Sequence, residues 1–401
     1  MNCLTLPALL LTAFCFILLG HTPVRSGRTF VDKKIIETKV YTDVEMYKRW
    51  YTRVSASTAE KNKKQLHNLT QSAIKEYVSL CFHQANARLS TLYPTLPHIV
   101  ELRLVAMEFN YAMFDDSGLT DIDEKHHIFK KFLQEIHKVN GMYDHTMLMT
   151  SLTLTTSFNT SSIKKGALLE LSDDMAGYTK ISEDLDLSLQ AVSWMYRGAS
   201  WNKICNPHGL SSSIIEDKGG FQSVFDIAHQ IGHNLGAPHD GETEVCNDTD
   251  YNIMSSIKPE NGPLASQWYF SKCSASEIHA FMSRSDRIDC LSNLATPLPE
   301  YEKTLHIVPG QKYPADQQCQ MIYGSTSRVC LGPGLSSIGD ICTSMFCLDP
   351  VASKSSPTGI ECKKHFAAEG TSCGDGKWCT LGTCTSNPSA PTMGIETSTV
   401  Q

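Results

Sequence analysis

The chain has 401 residues, a formal net charge of −7 and 15 cysteines. The acidic balance argues against nucleic acid as a partner. The cysteine density suits an oxidising compartment, and no run beyond the N-terminal one approaches the roughly 18 apolar residues that a membrane span needs.

Residues 1–26 read as a secretory signal. Positions 4–19 are almost wholly apolar, and Gly20 and Ser26 are small enough for cleavage, although a charged n-region is missing. Losing Cys3 and Cys15 with it leaves 13 cysteines, eight of them in the last quarter. The chain is therefore expected to be exported, secreted and soluble, and a monomer. Asn68, Asn159 and Asn247 open glycosylation sequons. A mature length of about 375 residues suggests two domains.

A strand is expected at 34–41, followed by a polar turn. Residues 58–92 predict a long helix, with Leu66, Leu69, Ala73, Tyr77, Leu80 and Ala87 on one face. A strand at 98–110, an amphipathic helix at 125–139 and a strand at 147–154 follow. This alternation implies an α/β layered domain with a mostly parallel sheet. Residues 155–197, with a short helical run at 187–194, match nothing placeable and read as an insertion. A further strand is expected at 213–216.

Then comes His229-Gln230-Ile231-Gly232-His233-Asn234-Leu235-Gly236-Ala237-Pro238-His239-Asp240. Val224, Ile227, Ala228, Ile231 and Leu235 recur at helical spacing. His229 and His233, four apart, project from one side of that helix. Gly236 can take the left-handed conformation that ends a helix, and Pro238 cannot continue it. The chain can then swing His239 back towards the first two rings. Three neutral imidazoles with one open position make a catalytic-type zinc site. A core helix with incidental histidines would rarely carry three at this spacing.

This stretch resembles the metzincin signature H-E-x-x-H-x-x-G-x-x-H, and Asp240 narrows the resemblance to the reprolysin (adamalysin and ADAMTS) branch. One position departs from it. The family has Glu after the first histidine, where it acts as general base; this chain has Gln230. A glutamine keeps the shape and can hydrogen-bond, but it has no basic oxygen to hold a proton.

The resemblance carries further expectations. Residues 35–43 look like the first strand of the reprolysin catalytic domain, leaving about ten residues after the signal and so no prodomain. Residues 198–207 resemble the edge strand that pairs with substrate. Asn252-Ile253-Met254-Ser255 looks like the Met-turn, with Met254 beneath the metal. The resemblance pairs Cys205 with Cys290 and Cys246 with Cys273, leaving Cys81 as a buried thiol or an intermolecular bridge. It also implies a calcium site from Glu37, Asp144, the Cys290 carbonyl and Asn293. The expected layout is a protease domain at 28–295, a linker at 296–313 and a module at 314–386. The tail, 387–401, is expected to be disordered. The module's eight cysteines, from Cys319 to Cys384, resemble the disintegrin-like module of ADAMTS proteases. Two functions are then expected to compete. One is a pseudoprotease that binds extracellular proteins or peptides, impaired by Gln230. The alternative is an active zinc endopeptidase.

Overall fold

The computed structural model describes residues 32–391 apart from 60–61, 94, 97, 111–120, 141–142, 155–197, 206–210, 243–244, 260–261, 285–287 and 293–294. The signal, Asn159, Asn293 and the run at 187–194 lie outside the described residues, as does the tail from 392.

β1 (Asp32–Thr42) is the sheet's centre of assembly. It pairs in parallel with β2 (His98–Phe109) on one side and β3 (His145–Thr150) on the other, placing Ile36 opposite Leu102 and Val40 opposite Met147. β3 pairs in parallel with β5 (Ser212–Glu216), and β4 (Gly198–Trp201) lies antiparallel along β5. The order is β2-β1-β3-β5-β4. A mostly parallel sheet must be covered on both faces, and side-chain alternation divides its apolar residues between two cores. Val40, Met147, Met149 and Ile215 join the core beneath the helices at 44–57, 63–89 and 223–234. Their neighbours Tyr41, Leu148 and Ile214 face the other way and pack with Phe129 and Leu133 of α3 (Ile122–Asn140).

α1 (Val44–Ser57) occupies the stretch read from sequence as a polar turn. Only Met46 and Trp50 are buried on it, too few for a visible stripe. Its start is fixed by Asp43, whose carboxylate accepts from the Met46 N–H at 3.0 Å. α2 (Lys63–Leu89) starts later than expected, because Asn62 caps the Lys64 and Gln65 amides. Leu69 is exposed; the buried face runs instead through Leu66, Ile74, Tyr77, Val78, Phe82 and Leu89. Cys81 is a free, fully buried thiol.

α4 (Ser223–Asn234) and α5 (Lys272–Met282) complete the layer. Cys205 is bonded to Cys290 and Cys246 to Cys273. The stretch read as a linker holds two short helices, α6 (Pro299–Lys303) and α7 (Pro309–Lys312). It is seated on the N-terminal layer: Tyr301 is buried, and the Leu298 N–H donates to the Leu104 carbonyl.

The C-terminal module contains α8 (Ala315–Tyr323), a hairpin of β6 (Met345–Leu348) and β7 (Cys362–His365), and a small sheet of β8 (Ser372–Gly374), β9 (Lys377–Thr380) and β10 (Thr383–Ser386). Its disulfides join 319–347, 330–362, 342–379 and 373–384. It packs directly on the N-terminal layer. The Gln222 amide exchanges hydrogen bonds with the Phe366 backbone, and the Phe366 ring stacks on Phe225 of α4. A Cβ on Gly219 would come within 2.4 Å of the Met321 carbonyl oxygen, so glycine there lets the two backbones meet.

Candidate metal centre

Nearly every residue of α4 is buried, which fixes its rotation and hence where His229 and His233 point. The helix ends as its sequence predicts. Gly236 has φ +95°, its N–H donates to the His233 carbonyl, and the Ala237 N–H donates to the Gly232 carbonyl. That turn returns His239 to the helix. His233 Nε2 then lies 3.1 Å from His229 Nε2 and 3.2 Å from His239 Nε2.

The other ring nitrogens explain these short approaches. His229 Nδ1 lies 2.6 Å from the Ile253 carbonyl, His233 Nδ1 2.8 Å from the Ala237 carbonyl, and His239 Nδ1 3.3 Å from Glu242 Oε1. Each of these partners is an acceptor, so each Nδ1 carries the proton and donates. Every Nε2 therefore keeps its lone pair, and three lone pairs meet at one point. Nitrogens at this spacing have no proton to share; they fit a cation, whose tetrahedral ligands at 2.0–2.1 Å stand about 3.3 Å apart. Oxygen acceptors behind ligand histidines serve this orientation in metal sites. Burial, with the neighbouring rings adding to it, holds His229 well below its ordinary pKa and His233 at about 3. Both rings are thus neutral near pH 7, as ligation requires.

The floor is built by residues between His239 and α5. A Cβ on Gly232 would fall 2.4 Å from Met254 Sδ, so glycine admits the fully buried Met254 directly under the helix. The Asp240 N–H donates to the Met254 carbonyl, and its carboxylate accepts from the Ser271 and Ser274 hydroxyls. Burial raises the Asp240 pKa, and those hydroxyls work against the rise. Asp240 thereby ties the third histidine to the start of α5.

Gln230 projects between α4 and the sheet edge. A Cβ built on Gly198 would lie 3.2 Å from Gln230 Cγ and 3.3 Å from Nε2, so the amide rests on the first residue of β4. Among the described residues the amide makes no hydrogen bond. Glu242, the carboxylate three residues after the third histidine, stands on the Nδ1 side of His239 and so behind the ring, away from the Nε2 convergence. The acceptors Ile253, Ala237 and Glu242 and the space at Gly232 were not assigned from sequence. Only Glu242, three residues after a histidine, left a legible signal.

Part of the expected calcium set also converges. The Glu37 N–H donates to Asp144 Oδ2 at 2.9 Å, and Glu37 Oε1 accepts from the Ala295 N–H. Burial raises the Asp144 pKa to about 7; the hydrogen bond from the Glu37 N–H works against the rise, and the Glu37 carboxylate adds the smallest part. Cys290 lies in the short helix Asp289–Ser292 that packs against β1. Asn68 and Asn247 are exposed.

Residues 186–295 match the family model described as Reprolysin (M12B) family zinc metalloprotease, and residues 309–385 match ADAMTS cysteine-rich domain 2. The chain is 35% identical over 176 residues to mouse "A disintegrin and metalloproteinase with thrombospondin motifs 16", covering 43% of this chain and 13% of that protein. It is 28% identical over 292 residues to mouse "A disintegrin and metalloproteinase with thrombospondin motifs 12", covering 72% and 15%. This chain thus matches only a small part of those relatives' length. The crystal structure of metalloproteinase-II from Bacteroides fragilis aligns over 63% of this chain and 55% of that chain, at TM-score 0.33 and 10% identity, too distant to carry weight. Among the described residues no helix is long and apolar enough to cross a membrane. Residues 186–295 thus resemble the reprolysin family of zinc metalloproteases and residues 309–385 the ADAMTS cysteine-rich domain, and these curated relatives carry ADAMTS names.

Proposed function

We propose that this chain is an exported zinc-binding pseudoprotease, which takes an extended segment of an extracellular protein along β4 and hydrolyses it poorly. The observation that carries this reading is Gln230, a neutral amide next to His229, resting on the edge strand where the family signature has its general base.

His229, His233 and His239 would hold the metal through Nε2. Zinc, when bound, supplies a Lewis acid that polarises a scissile carbonyl and acidifies its water. β4 is the last strand of its sheet, and its outer edge offers backbone groups to a peptide. The Gln230 amide can orient a water or a carbonyl by hydrogen bonding, but it cannot take up a proton near pH 7. Glu242 cannot replace it from behind His239. Binding is therefore retained while the proton-transfer contribution, typically 10²–10⁴ in rate, is lost. The domain layout supports the same reading, with a protease domain at 28–295 carrying the cleft and a disulfide module at 314–386 beside it. A second cation, calcium, suits Glu37, Asp144, the Cys290 carbonyl and Asn293, where its charge would offset the burial that raises the Asp144 pKa. The preserved convergence of three lone pairs favours the second reading, an active zinc endopeptidase.

The deciding experiment compares turnover of a generic protein substrate by this chain and by Gln230→Glu, with and without a chelator. The glutamate variant is expected to be at least about 10² faster. Chelator-sensitive cleavage by the unaltered chain, with a gain below about tenfold in Gln230→Glu, would establish the active enzyme instead.

A further inference from the structure

A cleft of about 560 Å³ lies between the first helix of the protease layer and the cysteine-rich module, apart from the histidine centre. α1 contributes Arg49, Trp50 and Arg53; α8 contributes Met321 and Ile322; Gly219, shortly before α4, completes the wall. Among the described residues no carboxylate lines it.

The two arginines are one helical turn apart and face the same way. Arg49 is committed: its guanidinium donates to the carbonyls of Lys218, of Met321 at 2.7 Å and of Ile322 at 3.0 Å, pinning α8 to α1. Arg53 is not. It is half-buried, and among the described residues it makes no hydrogen bond or ion pair. Burial lowers its pKa, the rings of Tyr313 and Tyr77 oppose that, and Arg49 pushes the same way as burial. Among the described residues this is a desolvated cation beside a like charge, without a counter-ion. Around it the wall is mixed: Trp50, Ala56, Met321 and Ile322 supply apolar surface, and Thr52, Ser57, Gln320 and Ser325 polar surface, with Trp50 and Met321 each about 5% exposed.

We propose that this cleft binds an aliphatic carboxylate, with its head group on the Arg53 guanidinium and its stem against Trp50, Met321 and Ile322. One free guanidinium matches a carboxylate in charge and in bidentate geometry. A polyanion would need more donors than this wall offers, and a small inorganic anion would leave the apolar surface wet. The volume falls in the range of small-molecule sites. Because both halves of the molecule supply walls, the ligand also fastens the module to the protease layer.

Two sources share this chemistry, a free fatty acid and the C-terminal carboxylate of a peptide. Calorimetric titration of the full chain with octanoate and with acetyl-leucyl-leucine separates them; octylammonium and the dipeptide amide are the uncharged or oppositely charged controls. At least one acid is expected to bind where its control does not, and the acid that binds identifies the source. Arg53→Ala should weaken that binding at least about tenfold, with Arg53→Lys in between and zinc content unchanged. Arg53→Gln serves the same comparison if the alanine variant loses its far-ultraviolet spectrum. Arg328→Ala, at an exposed arginine outside the cleft, should bind as the parent does. Absence of binding by both acids at millimolar concentration, equal binding of octylammonium, or unchanged affinity without the Arg53 guanidinium would each overturn the proposal.

Discussion

Among the described residues two places gather three metal-ligand side chains within 4.8 Å, His229, His233 and His239 in the N-terminal layer and Cys342, Cys373 and Cys384 in the module. They have opposite meanings. The histidines present free lone pairs, because a carbonyl or carboxylate behind each ring holds its proton on Nδ1. The sulfurs have none to offer as thiolates, because Cys342 is bonded to Cys379 and Cys373 to Cys384. Proximity therefore does not define a metal centre; the state of the donor atoms does. The same contrast runs through the two cores. The N-terminal layer buries a large aliphatic and aromatic cluster. In the module, five of the eight fully buried core residues are cysteines, so cross-links stand in for apolar area.

The contrast breaks most completely if the histidines are removed. Metal analysis should find one zinc per oxidised chain, and none in a His233→Ala, His239→Ala double variant. A second zinc, or zinc retained by the double variant, would mean that the module's sulfurs bind metal after all. Next in size is the loss of Cys342–Cys379, which closes a loop with a sequence separation of 37. Chain-entropy reasoning gives about 4 kcal/mol for such a cross-link. Replacing both cysteines by serine should open the module to proteolysis while the histidine centre keeps its zinc. If zinc is lost together with the module, the two regions depend on each other and the contrast fails.

A smaller effect should follow at Gly232→Ala. The new methyl meets Met254 Sδ in a closed space, and overpacking of this kind costs about 1–3 kcal/mol, against which alanine recovers up to about 1 in helix propensity. Chemical denaturation should show a net loss together with weaker zinc retention; an increase in stability would show that Met254 moves aside freely. The smallest change is expected from Glu242→Ala. Its carboxylate is partly exposed and only orients His239, so zinc affinity should fall about tenfold, the low end for such outer partners. Competition against a chelating dye measures this, and an unchanged affinity would show that His239 needs no acceptor.

Legibility followed the same division. The spacing of His229, His233, Gly236 and His239 forces its own geometry, because a helical turn and a left-handed glycine leave few alternatives. The alternation of strand and helix from β1 to β3 was equally legible. α1 was not, because Met46 and Trp50 alone make no stripe, and its capping Asp43 looks like any acidic turn residue. Gln230 was visible as a letter, but its place against Gly198 depends on which strand becomes the sheet edge.

What the sequence by itself determined is local: the three histidines, the glutamine among them, the turn that joins them and a module poor in apolar residues and dense in cysteines. What only the tertiary structure decided are the partners that come from far along the chain. The Ile253 carbonyl reaches His229 from 24 residues away, and α8 meets α1 across Gly219 to leave Arg53 facing a cleft. Sequence spacing encodes contacts made within one element, whereas these contacts depend on how separate elements pack. Packing is set by the summed burial of many side chains, and no short pattern records it.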